Sequence, residues 1–276
     1  GFVTSLSGEE IGHIRTRGDH GPDERETAIS PVLKRSCPQD LLEPILRTGA
    51  QRFDGVELDF ATEVTGIAQE SERVAISWRS EDGATGVTTA KFVIGADGPR
   101  SFTRGAAGIE MNGQSMGQEI GGYFHADLWP YVKDRPFLLW WIYNSVTTGV
   151  LISLDGRERW TYNFPYPEHD DRNDYTADRC REIIRAATGL PDLDPEIKSI
   201  MPWRMQARWA DRLQSGRIFI AGDAAHPLPP TGGQGMNTGI ADVHNLVWKL
   251  ALVLNGVAPE GLLNSYDSER LPVATF

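Results

Sequence analysis

The chain has 276 residues, 40% hydrophobic, 24% charged and 9% aromatic, which is ordinary globular usage and excludes a disordered, collagenous or disulfide-stapled polypeptide. At roughly 150 residues per domain the length predicts two domains or one large one. Lys and Arg number 27 against 38 Asp and Glu, a formal charge of −11, and no basic run of the kind a nucleic-acid arm needs occurs, which argues against nucleic acid and anionic membrane surfaces as partners.

Residues 1–26 are polar and rich in Gly and Asp, a loop-like entry. Ser36, Pro38 and the spacing Leu41, Leu42, Ile45, Leu46 then predict a short amphipathic helix with Arg35 and Gln39 at its start. Apolar residues alternate or cluster at 56–60, 63–67 and 74–78, and Glu81-Asp82-Gly83 supplies a turn before Val87, so a β-meander is predicted. Residues 90–98 end a short apolar strand in Gly95-Ala96-Asp97-Gly98, the way a buried parallel strand delivers backbone and a carboxylate to a ligand crevice. Aromatic-rich strands are predicted at 121–128, 137–143, 149–154 and 159–164, as an antiparallel sheet joined by a further strand at 194–201. Between them lies a helix at 177–188 with Gly189 as its stop. A second parallel-strand signature at 217–223 leads through a Pro/Gly loop to a helix at 237–255, with Ile240, Val243, Val247, Leu250, Ala251 and Leu254 as its core stripe.

Cys37 and Cys180, the two cysteines, encode neither a disulfide framework nor a thiolate metal site, and a reducing cytoplasmic setting is predicted. The longest apolar runs fall short of the roughly 20 residues a spanning helix needs. No signal peptide is visible, and Gly1 and the ending LPVATF read as those of an internal piece of a longer chain.

Chemistry concentrates in the block GRIFIAGDAAHPLPPTGGQGMNTGIADVHNLVWKLALVLNG. Asp223 at a strand tip is placed to accept from a sugar-like hydroxyl. Gly232, Gly233 and Gly235 allow close backbone approach, and the N–H groups of Met236, Asn237 and Thr238 open a helix whose dipole favours negative charge. Such a loop is equally a plain turn, and both readings stay open on these residues alone. Asp223 with His226, or Asp242 with His244, lacks a third metal ligand of matching spacing, so no metal is predicted and both histidines read as satisfied structural residues. A hydrolase elbow of the GxSxG type does not occur.

Three segments in this order, FVIGADGPRS at 92–101, the Gly222-Asp223 block and SYDSERLPVA at 265–274, resemble the single-component FAD-dependent aromatic hydroxylases of the phenol and para-hydroxybenzoate hydroxylase type. The similarity is greatest to the phenol and chlorophenol monooxygenase branch and extends to polyketide hydroxylases. The resemblance implies an α/β fold: an incomplete Rossmann-like FAD-binding domain (1–108 and 211–276) with an inserted, mostly antiparallel β-sheet substrate domain (109–210). It implies FAD contacts at Arg35, Gln39, Asp97, Gly98, Arg100, Gly222, Asp223, Gly235, Met236 and Asn237, with Pro230 and Thr231 over the flavin face where the ring is attacked. Tyr123, His125, Trp140, Tyr143, Trp203 and Met205 are the candidate substrate wall, flat surfaces with polar tips, although for any single one of them filling the sheet core is the favoured reading.

The implied reaction is reduction of FAD by NADH or NADPH, capture of O2 as a flavin C4a-hydroperoxide and hydroxylation of a phenolic ring. A flavin reductase or dehydrogenase of the same fold, and a chain that only binds ligand, are the alternatives; a homodimer is compatible with either. The family's opening βαβ unit with GxGxxG has no counterpart here.

Overall fold

The computed structural model describes residues 1–14, 28–29, 37–135 and 137–275; the predicted contact residue Arg35 lies outside them. In chain order the described elements begin with β1 (Phe2–Val3), β2 (Glu10–Gly12), α1 (Gln39–Ala50), β3 (Thr62–Gln69), β4 (Val74–Ser80), β5 (Thr85–Ala90), β6 (Val93–Gly95), α2 (Phe102–Ala106) and the long β7 (Met111–His125). There follow α3 (Trp129–Val132), β8 (Leu139–Tyr143), β9 (Thr148–Ser153), β10 (Arg159–Tyr166), α4 (Ala177–Thr188), β11 (Glu196–Ala210), β12 (Gln214–Ser215), β13 (Ile218–Ile220), α5 (Gln234–Leu254) and α6 (Ser265–Ala274). The class is mixed α/β, as the sequence implies.

The chain forms two units, one joining Gly1–Glu57 to Gly117–Arg204, the other joining Leu58–Met116 to Met205–Phe276. Where the sequence reading puts breaks at 108/109 and 210/211, the chain changes unit inside β7 and β11. The leading segment, read as part of a first FAD-binding domain, groups instead with the inserted sheet, because β1 pairs in parallel with β8 through Phe2↔Trp141 and Val3↔Ile142. The predicted entry loop thus contains two short strands, β1 and β2, antiparallel to each other.

The first unit rests on a sheet of order β11-β7-β10-β9-β8-β1-β2. Side chains alternate across it. Trp160, Tyr162 and Phe164 of β10 share one face with Ile120 and Phe124 of β7, Trp140 and Ile142 of β8 and Leu151 of β9, and α4 covers that face with Cys180, Ile184 and Ala187. Each fully buried large side chain here contributes about 2–3 kcal/mol by leaving water. The predicted helix 177–188 is found, capped by Thr176, whose hydroxyl accepts from the Arg179 N–H, and closed by Gly189 in the left-handed region at φ 70°.

In the second unit β6 lies parallel to β13, which also pairs antiparallel with β12, and β3, β4 and β5 form the predicted meander as a separate sheet. Its core gathers Phe219 and Ile220 of β13, Leu246 and Leu250 of α5, Leu263 and Tyr266. Residues 56–60, expected as the meander's first strand, form no strand, and Phe60 is 61% exposed. The ladder starts only at Thr62↔Ser80, after Ala61 turns the chain at φ 53°.

The largest difference concerns α5. It begins three residues before the expected start, and its buried residues are Thr238, Asp242, Leu246, Lys249 and Leu250. Of the predicted stripe, Ile240, Val243, Val247 and Leu254 are exposed. The buried face carries two charged side chains because each has a partner outside the helix: Asp242 bonds His226 and Arg270, and Lys249 bonds Glu269 as well as Asn245 one turn back in the same helix.

Candidate functional site

Parallel pairing of Val93, Ile94 and Gly95 with Ile218, Phe219 and Ile220 brings the ends of β6 and β13 side by side. The turns that follow, Ala96-Asp97-Gly98 and Ala221-Gly222-Asp223, therefore open at the same sheet edge, where a crevice is expected for strands of this kind. They line a cavity of about 650 Å³ with Met236, Gly239, Ile240 and His244 of α5.

Asp223 is the carboxylate of this cavity. Its oxygens accept no hydrogen bond from the described residues. Asp223 is exposed overall, yet partial desolvation raises its pKa above the usual carboxylate range, an effect that the nearby His226 partly offsets. A carboxylate desolvated on one side and free of internal partners is suited to hydroxyl groups of a ligand. Gly222 holds the turn at φ 60° and lies so close to α5 that a Cβ on Gly239 would come within 3.2 Å of its Cα. Backbone thus meets backbone where side chains would fill the cavity.

Gly233 caps α5 in the left-handed region, φ 65°. The helical N–H groups without intrahelical acceptors are then those of Gln234, Gly235 and Met236, two residues earlier than the sequence places them. Gly235 and Met236 lie in this first turn, whose dipole favours a partial negative charge. The side chain of Asn237 is spent on the Gly233 carbonyl, to which Nδ2 donates at 2.8 Å. Pro230 and Thr231 sit in the turn before the helix, where the Pro230 carbonyl accepts from the Gly233 N–H at 3.0 Å; neither is among the walls of the cavity.

Gly98 lines the cavity but Asp97 does not. Its carboxylate accepts from the Ser101 hydroxyl at 2.5 Å and the Thr103 N–H at 2.9 Å, at the start of α2. Burial alone would raise its pKa, and these bonds outweigh it and hold the group low. Asp97 is thereby the fastener of its own turn. Arg100 is exposed, and the arginine that ties the two turns together is Arg104, missed in the sequence: Nη1 donates to the Ala224 carbonyl at 2.8 Å and Nη2 to that of Pro99 at 3.0 Å. His244, expected as a satisfied structural residue, is exposed and lines the cavity. His226 is the buried one, and its Nε2 pairs with Asp242 rather than Asp223.

The other predicted residues lie in the first unit, except Met205, which is half-buried in the second. Gln39 opens α1, where Nε2 donates to Glu43. Trp140 is fully buried on the core face of the sheet, so it is a packing residue rather than part of a substrate wall; the alternation Trp140, Ile142 against Trp141, Tyr143 is the signal that separates them. The register puts Tyr123, His125 and Arg159 together on the opposite face. There Arg159 Nε donates to the Tyr123 hydroxyl at 3.0 Å, and that hydroxyl lies 2.7 Å from His125 Nε2. Arg159 also pairs with Asp40 of α1. Tyr143 is half-exposed and stacks at 6.4 Å on Phe2, and Trp203 is half-buried.

The chain is 41% identical over 256 residues to the tetracenomycin A2 monooxygenase-dioxygenase of Streptomyces glaucescens, covering 89% of this chain and 46% of that protein. It is 36% identical over 286 residues to the 2,4-dichlorophenol 6-monooxygenase of Cupriavidus pinatubonensis, covering 99% and 47%. Among solved structures, the flavin-dependent monooxygenase PieE in complex with FAD and substrate superposes with a TM-score of 0.92 at 33% identity, covering 99% of this chain and 48% of that one. Aklavinone-11 hydroxylase with FAD and aklavinone gives 0.84, also at 33% identity, covering 99% and 52%. The chain thus spans about half the length of the relatives it matches. A sequence profile described as FAD binding domain matches residues 6–276, and with these relatives it shows that the chain belongs to the FAD binding domain family, among the FAD-dependent aromatic hydroxylases.

Proposed function

We propose that this chain is part of a monooxygenase that hydroxylates a phenolic or fused aromatic ring with FAD, O2 and NADH or NADPH. The observation that carries the reading is the cavity at the strand ends, with one unpartnered carboxylate, Asp223, on a glycine turn and a helix start beside it. FAD fits this donor set. Asp223 would hold ribityl hydroxyls, Gly98 and Gly222 would admit the cofactor against backbone, and the first turn of α5 would lie at the electron-rich pyrimidine edge of the ring. When bound, FAD supplies hydride acceptance and O2 activation; the chain's own work is to orient ring and ribityl chain and to keep water from them.

On this reading the open face of the first unit's sheet, with Tyr123, His125, Tyr143 and Trp203, belongs to the aromatic substrate, and Arg159 holds the Tyr123 hydroxyl in place. The test is O2 consumption by the full protein with NAD(P)H and a phenol such as 2,4-dichlorophenol. A hydroxylated product formed in step with NAD(P)H oxidation is expected. NAD(P)H oxidation that no aromatic compound ever couples to product would favour a reductase or dehydrogenase instead.

A further inference from the structure

Beneath the Gly222–Asp223 turn lies a buried polar cluster that the reading above does not use. Asp242 of α5 is fully buried and accepts from three donors. Its Oδ2 takes the Gly222 N–H at 3.1 Å and lies 2.5 Å from His226 Nε2, and its Oδ1 takes Arg270 Nε at 2.8 Å. Arg270 continues to the Thr238 carbonyl at 3.3 Å, so α6, α5 and the turn are joined through one carboxylate. Burial alone would raise the pKa of Asp242, but the His226 contact and the bonds from Arg270 and Gly222 outweigh it and keep the group ionised.

His226 is also buried, and its Nδ1 has no partner among the described residues. A buried ring that leaves one nitrogen unpaired is oriented for the other bond, the one to Asp242. The Gly222 N–H belongs to the peptide just before Gly222-Asp223, and glycine at φ 60° has more backbone alternatives than any other residue. Asp242 removes them on one side and the Gly239 backbone on the other.

We propose that Asp242 is a positioning residue for the flavin ribityl chain: through Gly222 and His226 it fixes the turn that aims Asp223 at the ribityl hydroxyls. The inference rests on the assignment of Asp223 given above. Asn in place of Asp242 keeps one acceptor oxygen and sets an NH2 donor where the other oxygen was, so at least one of the three bonds that hold the turn to α5 and α6 is lost while side-chain volume is kept.

The test compares riboflavin with lumiflavin, which has the same ring and no ribityl chain, by fluorescence titration of the full protein freed of FAD. Asp242→Asn is expected to weaken riboflavin on the order of tenfold and to leave lumiflavin unchanged, since displacing a contact by a fraction of an ångström affects only groups that use it. Equal weakening of both flavins would make Asp242 a purely structural residue and overturn the inference, as would no weakening of either. If Asp242→Asn does not fold, Arg270→Lys carries the same test, with a smaller loss confined to riboflavin. Asp223→Asn separates the two claims. Should it abolish the preference for riboflavin while Asp242→Asn keeps it, the positioning role fails and the assignment of Asp223 stands; should it keep the preference, the assignment fails and the positioning role with it.

Discussion

Asp223, the proposed partner of the ribityl hydroxyls, carries a cost in stability. Its carboxyl is held above the ordinary range by burial, so the folded state keeps its proton more tightly than the unfolded chain does. The stability this contributes is fully present below the unfolded pKa and is lost as pH rises through the folded value. At neutral pH the ionised group therefore opposes folding of the flavin-free protein. Asp223→Asn is expected to raise the melting temperature of that form slightly at pH 7, because the exposed side of the carboxylate keeps the penalty small, and to make no difference in acid below the carboxylate range. Calorimetry at the two pH values checks both signs. Tyr266 works in the other direction, since its hydroxyl donates to the Ile220 carbonyl at 2.9 Å in the core. Tyr266→Phe removes that bond and is expected to cost about 1–2 kcal/mol in denaturant unfolding.

Strand tips at Asp97 and Asp223 were legible because small residues after a short apolar run have few other uses, and α4 was legible from its cap and its Gly189 stop. The phase of α5 was not. An apolar stripe is ordinarily the buried one, but here Asp242 and Lys249 go inside because Arg270 and Glu269 meet them from α6, a pairing across more than a turn of chain that periodicity does not reveal. The motif SYDSERLPVA serves for recognition in the sequence, and in the structure its members each hold something: Tyr266 the end of β13, Asp267 the Leu213 N–H, Glu269 Lys249 and Arg270 Asp242. Trp140 was misassigned for the simpler reason that adjacent aromatics on a strand face opposite ways. Packing between α5 and the turn gives the element its own test. A methyl on Gly239 would press on the Gly222 backbone at 3.2 Å, so Gly239→Ala is expected to weaken flavin binding several-fold, measured by titration, while helix content in circular dichroism is unchanged.

For the whole molecule, apolar surface matters more than the charge of −11. In the first unit α1 has no buried residue and exposes Leu41, Ile45 and Leu46, and in the second α5 exposes Ile240, Val247 and Trp248. Contiguous exposed apolar faces promote association. The 276-residue chain by itself is expected to self-associate in size-exclusion chromatography, and Val247→Lys to reduce that; a monomer at all concentrations would contradict it. None of the described helices is long and apolar enough to cross a membrane. The two parallel strand ends and their cavity are the part of this architecture on which the proposed chemistry depends. Flavin retained on the full protein after purification and desalting, read by visible absorbance for wild type and Asp223→Ala side by side, tests that claim most directly. A flavin spectrum is expected with the wild type and its loss or marked reduction with the variant; equal flavin content in the two would contradict the assignment of Asp223 to the flavin.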